Sequence, residues 1–399
     1  MMQIDLRTKR SPVKILLAPQ AFKGSISALS AGQAMERGIK RALPQADVAI
    51  LPIADGGDGT VEALVNATHG KFRKSNVTDP LGRQTSAKWG ILGDKKTAII
   101  EMSVASGLRL VEPDKRDPLI TTTYGTGELI KAALDEGCKR LIIGIGGSAT
   151  NDGGAGAAQA LGVRLLDANG HEIGWGGAAL INLATIDTSD LDPRLRNVEV
   201  LVASDVTNPL VGPEGASYIY GPQKGASPEM VRLLDRALQH FGQVISKQLG
   251  VEIRGKPGAG AAGGLGGGLM AFLNASITPG AQLIMQALGI DQYLDGVDLV
   301  FTGEGQIDGQ TIYGKAPVAL AQAAKKHNLP VIAVVGAIAE GYDAVYKHGI
   351  DAVLSIVSRP MDMETAMDHA ETLIEDASER AIRLFMVGVH FKKRGKLQN

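Results

Sequence analysis

Residues 298–310 read DLVFTGEGQIDGQ: an apolar, strand-like run and then a loop of glycines, carboxylates and amides. The same order occurs in VKILLAPQAFKGS (13–25), VAILPIADGGDGT (48–60) and RLIIGIGGSATNDGG (140–154). Short apolar runs bounded by turn residues are what buried parallel strands look like in sequence. In an open parallel sheet, ligands bind outside the carboxyl ends of the strands. Four such loops along one edge of one sheet predict a site for a small, charged, oxygen-rich substrate.

Around these loops the pattern alternates. A strand at 13–18 precedes a helix over 27–43, a strand over 47–53 and a short helix over 60–68, so the opening is β-α-β-α and predicts a parallel sheet. From 71 to 112 the texture changes to period-two alternation with turn signals at Asp79-Pro80 and Gly93-Asp94, which predicts antiparallel strands. The β-α rhythm resumes with a helix over 123–137 and a strand over 140–145. After a mixed stretch that includes a strand over 198–203, it continues through strands at 297–301, 331–335 and 352–356 and a last helix over 363–384. The expected fold class is α/β: a doubly wound, mostly parallel sheet domain, with a second, irregular α/β domain inserted and the site in the cleft between them. The expected boundaries are 13–70, 120–155 and 286–399 for the first domain, and 71–119 with 156–285 for the second.

Composition narrows the function classes. At 399 residues with 44% hydrophobic and 21% charged residues, the chain matches an ordinary globular protein large enough for two domains. Its 51 glycines make about 13%, against a typical ~7%, and they gather in loops, where backbone can approach a ligand closely. A formal charge of −1 gives no long-range attraction to nucleic acid or an anionic membrane. The single cysteine, Cys138, allows no internal disulfide, as in a reducing cytosol, and is expected to pack at a helix-to-strand junction. Residues 1–12 read as a polar extension without the apolar core of a signal peptide, and no apolar run nears the ~20 residues of a membrane span. A cytoplasmic location is expected.

The loops themselves carry chemistry. In 146–154, glycines and a following helix start could present N–H groups to an anion, which marks Gly146, Gly147, Ser148, Asn151, Asp152, Gly153 and Gly154 for phosphate or carboxylate; the plain alternative is a capped turn. In 303–317, Gly309, Gly314 and Lys315 keep the spacing of a phosphate-binding P-loop, but Ala316 replaces the required Ser or Thr and Pro317 follows. Glu304 and Asp308 could ligate a metal or act as a base, and Lys315 could neutralise phosphate. Gly258, Gly260 and Gly263 match a dinucleotide fingerprint, yet EIRGKP before them is charged and ends in proline, so a close-packed hinge fits better. Lys23, with Ser25 and Ser27, opens the helix after the first strand, Asp55, Gly56, Gly57, Asp58 and Thr60 repeat the theme, and Asp205 stands at another strand end. No histidine spacing suggests zinc, and no G-x-S-x-G suggests a serine hydrolase.

The blocks APQAFKGSISA, LPIADGGDGT, GIGGSATNDGGAG, ASDVTNPLVGPEGAS with YGPQKGAS, PGAGAAGGLGGGL, and TGEGQIDGQT with GKAP follow one another in an order that resembles the bacterial type 1 glycerate kinase family, over nearly the whole chain. The resemblance implies ATP-dependent, Mg²⁺-assisted phosphorylation of D-glycerate, usually to 2-phosphoglycerate, in a two-domain α/β protein that is a monomer or homodimer. It departs at Gln20 and Ala21, where the family usually has an acidic residue and a hydroxyl, and at Asp58, where Glu is common. On this basis Asp205 is the expected base, with Asp308 the alternative. Lys23 pairs with the substrate carboxylate or the transferring phosphoryl, and Ser25, Asp55, Gly56, Gly57 and Asn208 contact substrate. Glu304 and Asp308 hold Mg²⁺, and the 146–154 loop with Lys315 holds nucleotide phosphate. Two rivals stay open: an NAD(P)-dependent oxidoreductase on a glycerate-like acid, suggested by the 258–263 glycines, and a non-catalytic sugar-acid-binding regulator, suggested by Gln20 and Ala21.

Overall fold

A computed structural model describes residues 12–393, so most of the polar extension read at 1–12 lies outside the described residues. The chain forms two compact units: one ends at Asp55 and resumes at Ala281, and the other is Gly56–Gly280.

The first unit is built on five parallel strands in the order Ala352–Ser355, Val331–Val335, Leu299–Gly303, Lys14–Pro19, Asp47–Ile50. Its central strands are buried almost throughout, as expected of a sheet covered on both faces. Successive side chains point to opposite faces. Ile15, Leu17, Phe301 and Val334 therefore share one core with Met35 and Ile39 from helix Ala28–Ala42 and Ile374 and Ala377 from helix Ala370–Lys393. Leu16, Val300 and Ala333 point the other way, onto the side of helix Ala316–Lys326, which contacts the Leu299–Gly303 and Val331–Val335 strands. Helix Ala28–Ala42 starts where the Ser27 hydroxyl accepts the Ser30 N–H, and stops ahead of Pro44, the expected punctuation. The last helix differs from expectation: it is broken at His369 into Met363–Asp368, capped by Asp362, and Ala370–Lys393.

The second unit holds a six-stranded sheet in the order Ser276–Thr278, Glu199–Ala203, Arg140–Gly144, Thr97–Glu101, Gln84–Ile91, Lys71–Thr78. The first four strands pair in parallel, and the last two add the antiparallel ribbon expected between 71 and 112. The division of the chain corrects the expected boundaries. Residues 56–70 and 120–155 belong to the second unit, because Arg140–Gly144 pairs on both sides with strands of that sheet and helix Thr60–Ala67 packs on its strands Gln84–Ile91 and Thr97–Glu101. There is thus one insertion, entering after Asp55 and leaving before Ala281. A short apolar run followed by glycine has the same local signature in either sheet, and only its partners decide which one it joins. Cys138 is buried between helix Tyr124–Asp135 and strand Arg140–Gly144, as expected. No helix among the described residues is long and apolar enough to cross a membrane.

The glycines of 258–268 pack this unit tightly. They follow turns, not a strand, so the dinucleotide fingerprint lacks its structural context. Gly263 adopts φ +68 and its carbonyl accepts the Gly153 N–H at 3.0 Å; a methyl group on it would run into the Thr150 carbonyl oxygen. Gly137 also has positive φ, but open space around it. Strain plus collision should make Gly263→Ala cost roughly 2–5 kcal/mol, and strain alone should make Gly137→Ala cost roughly 1–2 kcal/mol. Urea unfolding of the two variants checks this; equal losses would show that close packing at Gly263 is not what that glycine serves.

Candidate active site at the strand ends of the first unit

All five strands of the first sheet send residues from their carboxyl ends into one pocket of about 540 Å³. Asp55 comes from beyond Asp47–Ile50, Gln20 to Lys23 from beyond Lys14–Pro19, and Glu304 to Asp308 from beyond Leu299–Gly303. Gly336 and Ala337 follow Val331–Val335, and Ile356 to Met361 follow Ala352–Ser355. The sheet order explains the convergence. From Lys14–Pro19 the chain steps to Asp47–Ile50 on one side, and after the insertion it returns as Leu299–Gly303 on the other. Loops leaving two adjacent strands in opposite directions open a crevice at this switch point.

Most polar groups in the crevice are held by a neighbour. The Gln20 N–H donates to the Gly303 carbonyl at 2.8 Å, extending the sheet by one bond. Its buried side chain donates Nε2 to Asp55 Oδ2 at 2.7 Å. Because a carboxylate can only accept, that contact sets the amide's orientation. The other end, Oε1, is buried with no hydrogen-bond partner among the described residues. Beyond it Phe22 and Ile26 exchange backbone hydrogen bonds around Gly24 (φ +77), leaving Lys23 exposed at the tip. Ser25 Oγ donates to the Met367 carbonyl at 2.6 Å.

Across the switch point, Glu304 is buried and lies 3.7 Å from Lys315 Nζ. Burial pushes its carboxyl up to about 7; Lys315 and the Thr311 hydroxyl oppose that rise, and the charges of Asp308 and Asp55 add to it. Asp308 sits 3.5 Å from the same Lys315 Nζ. Its slight burial is outweighed by the Gln306 amide, the Gln310 N–H at 2.9 Å and Lys315, which hold its carboxyl below the usual range. Lys315 stands immediately before helix Ala316–Lys326, with Pro317 in the first turn, where proline suits a helix start. The loops after two neighbouring strands are joined by a bridge between Gln306–Ile307 and Ala337–Ile338 and by the Gly336 N–H donating to the Glu304 carbonyl at 3.0 Å.

The structure thus brings together Lys23, Ser25, Asp55, Glu304, Asp308 and Lys315. The other expected site residues lie in the second unit. Asp205, exposed, accepts the Gly280 N–H at 2.9 Å. Asn208 donates to the Glu214 carbonyl and accepts from the Tyr220 hydroxyl, both at 2.8 Å, so its side chain shapes its own loop. Gly56 and Gly57 precede Asp58, which pairs with Arg109 at 2.9 Å.

In the 146–154 loop, Gly146 and Gly147 are exposed and Ser148 is nearly covered. Asn151, Asp152, Gly153 and Gly154, expected at phosphate, are buried and bonded within their own unit. Asp152 takes hydrogen bonds from the N–H and hydroxyl of Thr123 (both 2.8 Å), the Gly154 N–H (3.1 Å) and the Gly156 N–H (3.2 Å). Asn151 donates to Ser217 at 2.9 Å, and Gly153 and Gly154 pack against Phe241 and Gly268. The helix that follows, Ala155–Ala160, starts at Gly154 in the left-handed region rather than at an Asn151 or Asp152 cap, and the four loops do not share one sheet edge.

The family model for the glycerate kinase family matches residues 15–386. The chain belongs to the glycerate kinase family. It is 54% identical over 363 residues to glycerate kinase of Bacillus subtilis strain 168, covering 91% of this chain and 95% of that one. To glycerate 2-kinase of Escherichia coli K12 it is 50% identical over 377 residues, 94% of this chain and 99% of the other. A crystal structure of a protein assigned as glycerate kinase 2 from Salmonella typhimurium LT2 superposes with a TM-score of 0.88 at 47% identity, covering 95% of this chain and all of that chain. The resemblance carried by the sequence blocks is therefore shown, as is the two-domain α/β class.

Within this glycerate kinase fold, sequence reasoning missed Gln306, Ile356, Val357, Met361, Met363 and Met367 as pocket residues. Gln306 lies inside the GEGQIDGQ loop but was not singled out, Ile356 and Val357 follow a strand directly, and the three methionines belong to no motif. Glu304 offers a test of the site's electrostatics. Its carboxyl stands near 7 in the folded protein against an ordinary 4.5, so the fold holds that proton more tightly than the unfolded chain does. The stabilisation is fully present below about pH 4.5 and is lost as pH rises through 7, to a total of about 3 kcal/mol. Glu304→Gln cannot ionise. The difference in unfolding free energy, variant minus parent, should therefore grow in the variant's favour between pH 5 and pH 8; parallel pH profiles would show that Glu304 is not strained by its burial.

Proposed function

We propose that the protein transfers the γ-phosphoryl group of ATP to D-glycerate, giving 2-phosphoglycerate, and that the polar part of the first-unit pocket handles the transferring group. The observation that carries this is the convergence of Lys315, Glu304, Asp308 and Lys23 on the crevice between two strands that diverge from a switch point. Phosphoryl transfer asks a protein mainly for in-line positioning and for neutralisation of charge. Lys315 and Lys23 supply positive charge on two different loops, and the bridge that fixes the backbone of Glu304 keeps one side of the crevice rigid.

The donor set suits Mg²⁺. Glu304 and Asp308 offer carboxylate oxygens on one side of the pocket, and Mg²⁺ in kinases is usually bound by one or two carboxylates together with substrate phosphates. Glu304 and Asp308 would be those carboxylates; among the described residues no group of three or more acidic, histidine or cysteine ligands is assembled. Burial has raised the Glu304 carboxyl with Lys315 only partly compensating, so a cation there would relieve an existing electrostatic cost. When bound, Mg²⁺ neutralises phosphate charge and helps orient the γ-phosphoryl.

The hydroxyl of the acceptor must lose its proton. Asp308 is held firmly ionised by its donors and is a weak base for that reason; Asp205, exposed in the second unit, is the base in this proposal. Gly146 and Gly147 are the part of the 146–154 loop kept as phosphate contacts, since their backbone is exposed. Ser25 and Asp55 belong to the same pocket as Lys23 and position substrate or its phosphoryl donor.

A coupled assay of ADP release with ATP, Mg²⁺ and D-glycerate, followed by phosphorus NMR of the product, tests the reaction. Turnover with a 2-phosphoglycerate signal is the expected result; folded protein that binds D-glycerate without releasing ADP would instead identify a non-catalytic binder. Lys315→Met should lower kcat/KM by about 100-fold, or ~2.7 kcal/mol, and Asp205→Asn should lower kcat by at least as much. An Asp205→Asn enzyme within tenfold of the parent would remove the carboxylate from the base role.

A further inference from the structure

The pocket has two chemically distinct ends. Near the strands Asp47–Ile50, Lys14–Pro19 and Leu299–Gly303 it is lined by Asp55, Gln20, Lys23, Glu304, Asp308 and Lys315. Beyond the edge strand Ala352–Ser355 the lining changes to Ile356, Val357, Met361, Met363, Ala366 and Met367. The charged side chain in this second stretch, Asp362, is engaged as a helix cap, accepting the Thr365 N–H at 2.8 Å and its hydroxyl at 3.0 Å.

We infer that this apolar end is the seat of the purine base of the nucleotide, with the phosphates running along the strand ends toward Lys23 and Lys315. Five adjacent strands contribute to the pocket, and four inter-strand spacings of ~4.8 Å make the edge about 19 Å long. A three-carbon hydroxy acid fills a small part of 540 Å³ and has no apolar face to cover. A nucleoside triphosphate is elongated, with a flat, weakly polar base at one end and all of its charge at the other, which is the same asymmetry as the lining.

Methionine suits such a wall. Its thioether is polarizable, adapts to a planar ring and makes favourable sulfur–aromatic contacts of ~0.3–1.5 kcal/mol each. Met363 is 74% exposed, an unusual position for a large apolar side chain at the rim of a pocket unless something covers it. The two ends are also mechanically joined, because Ser25 Oγ donates to the Met367 carbonyl and Gly24 leaves room for the Met367 methyl group.

The inference rests on the kinase reading above, and its test separates the two. Binding of a fluorescent N-methylanthraniloyl ADP is titrated in the absence of D-glycerate, alongside competition by inorganic tripolyphosphate, which has charge and no base. Met363→Glu alters an exposed position and should fold normally; Ala366→Trp fills the slot instead of charging it. Each variant should bind the labelled ADP at least tenfold more weakly than the parent. Tripolyphosphate affinity and the KM for D-glycerate should stay within about twofold.

Unchanged ADP binding in both variants would overturn the inference. So would a matching loss of tripolyphosphate affinity, or a rise confined to the KM for D-glycerate. If the parent binds labelled ADP and the variants lose it while no preparation phosphorylates D-glycerate, the base seat stands and the assignment of reaction falls.

Discussion

The parallel pairing of Lys14–Pro19 with Leu299–Gly303 is the constraint from which the site follows. These strands are nearly three hundred residues apart in the chain, yet five consecutive residues of each, from Ile15 opposite Leu299 to Pro19 opposite Gly303, are in register. Because the first continues to one side of the sheet and the second to the other, the loops that follow them must part. The Gln20 N–H closes one more rung, to the Gly303 carbonyl, and so carries the sheet's rigidity directly to the floor of the pocket. Slipping Lys14–Pro19 by one residue against its partner would turn Ile15 and Leu17 away from the core they share with Phe301 and would also shift Gln20 relative to Glu304.

What the crevice does with that rigidity is electrostatic. One lysine faces two carboxylates of unlike character: Glu304, buried and reluctant to ionise, and Asp308, held ionised by its amide and N–H donors. Two acids distinguished by their surroundings, with a cation between them, make a place where added negative charge and an added cation can be accommodated together. The orphaned Gln20 oxygen belongs to the same economy of groups, since a buried acceptor without a partner favours a ligand that brings a donor.

Much of the fold was legible because parallel strands, helix stops and glycine loops have local signatures. The strands at 13–18, 297–301 and 331–335 and the antiparallel stretch after 71 stand near where the pattern put them. The allocation of 120–155 was not legible. The run RLII could join either sheet, and nothing local says that its neighbours are Thr97–Glu101 and Glu199–Ala203. Site residues divide in the same way. Lys23, Asp55, Glu304, Asp308 and Lys315 stood out because charged residues among glycines at a strand end are conspicuous. Asn151 and Asp152 looked just as exposed in sequence, yet the 263–268 glycines and Phe241 cover that loop. The methionines at 361, 363 and 367 carried no reading of their own in the sequence, and only tertiary structure brings them to a pocket.

Hydrogen exchange followed by mass spectrometry, with and without a non-hydrolysable ATP analogue and Mg²⁺, tests the central claim most directly. The claim is that the strand-end pocket of the first unit is where the transferring phosphoryl group is held. Slowed exchange concentrated in peptides covering 20–25 and 304–315 is the predicted result. Protection confined to 144–151 and 204–208, with 304–315 unaffected, would contradict it.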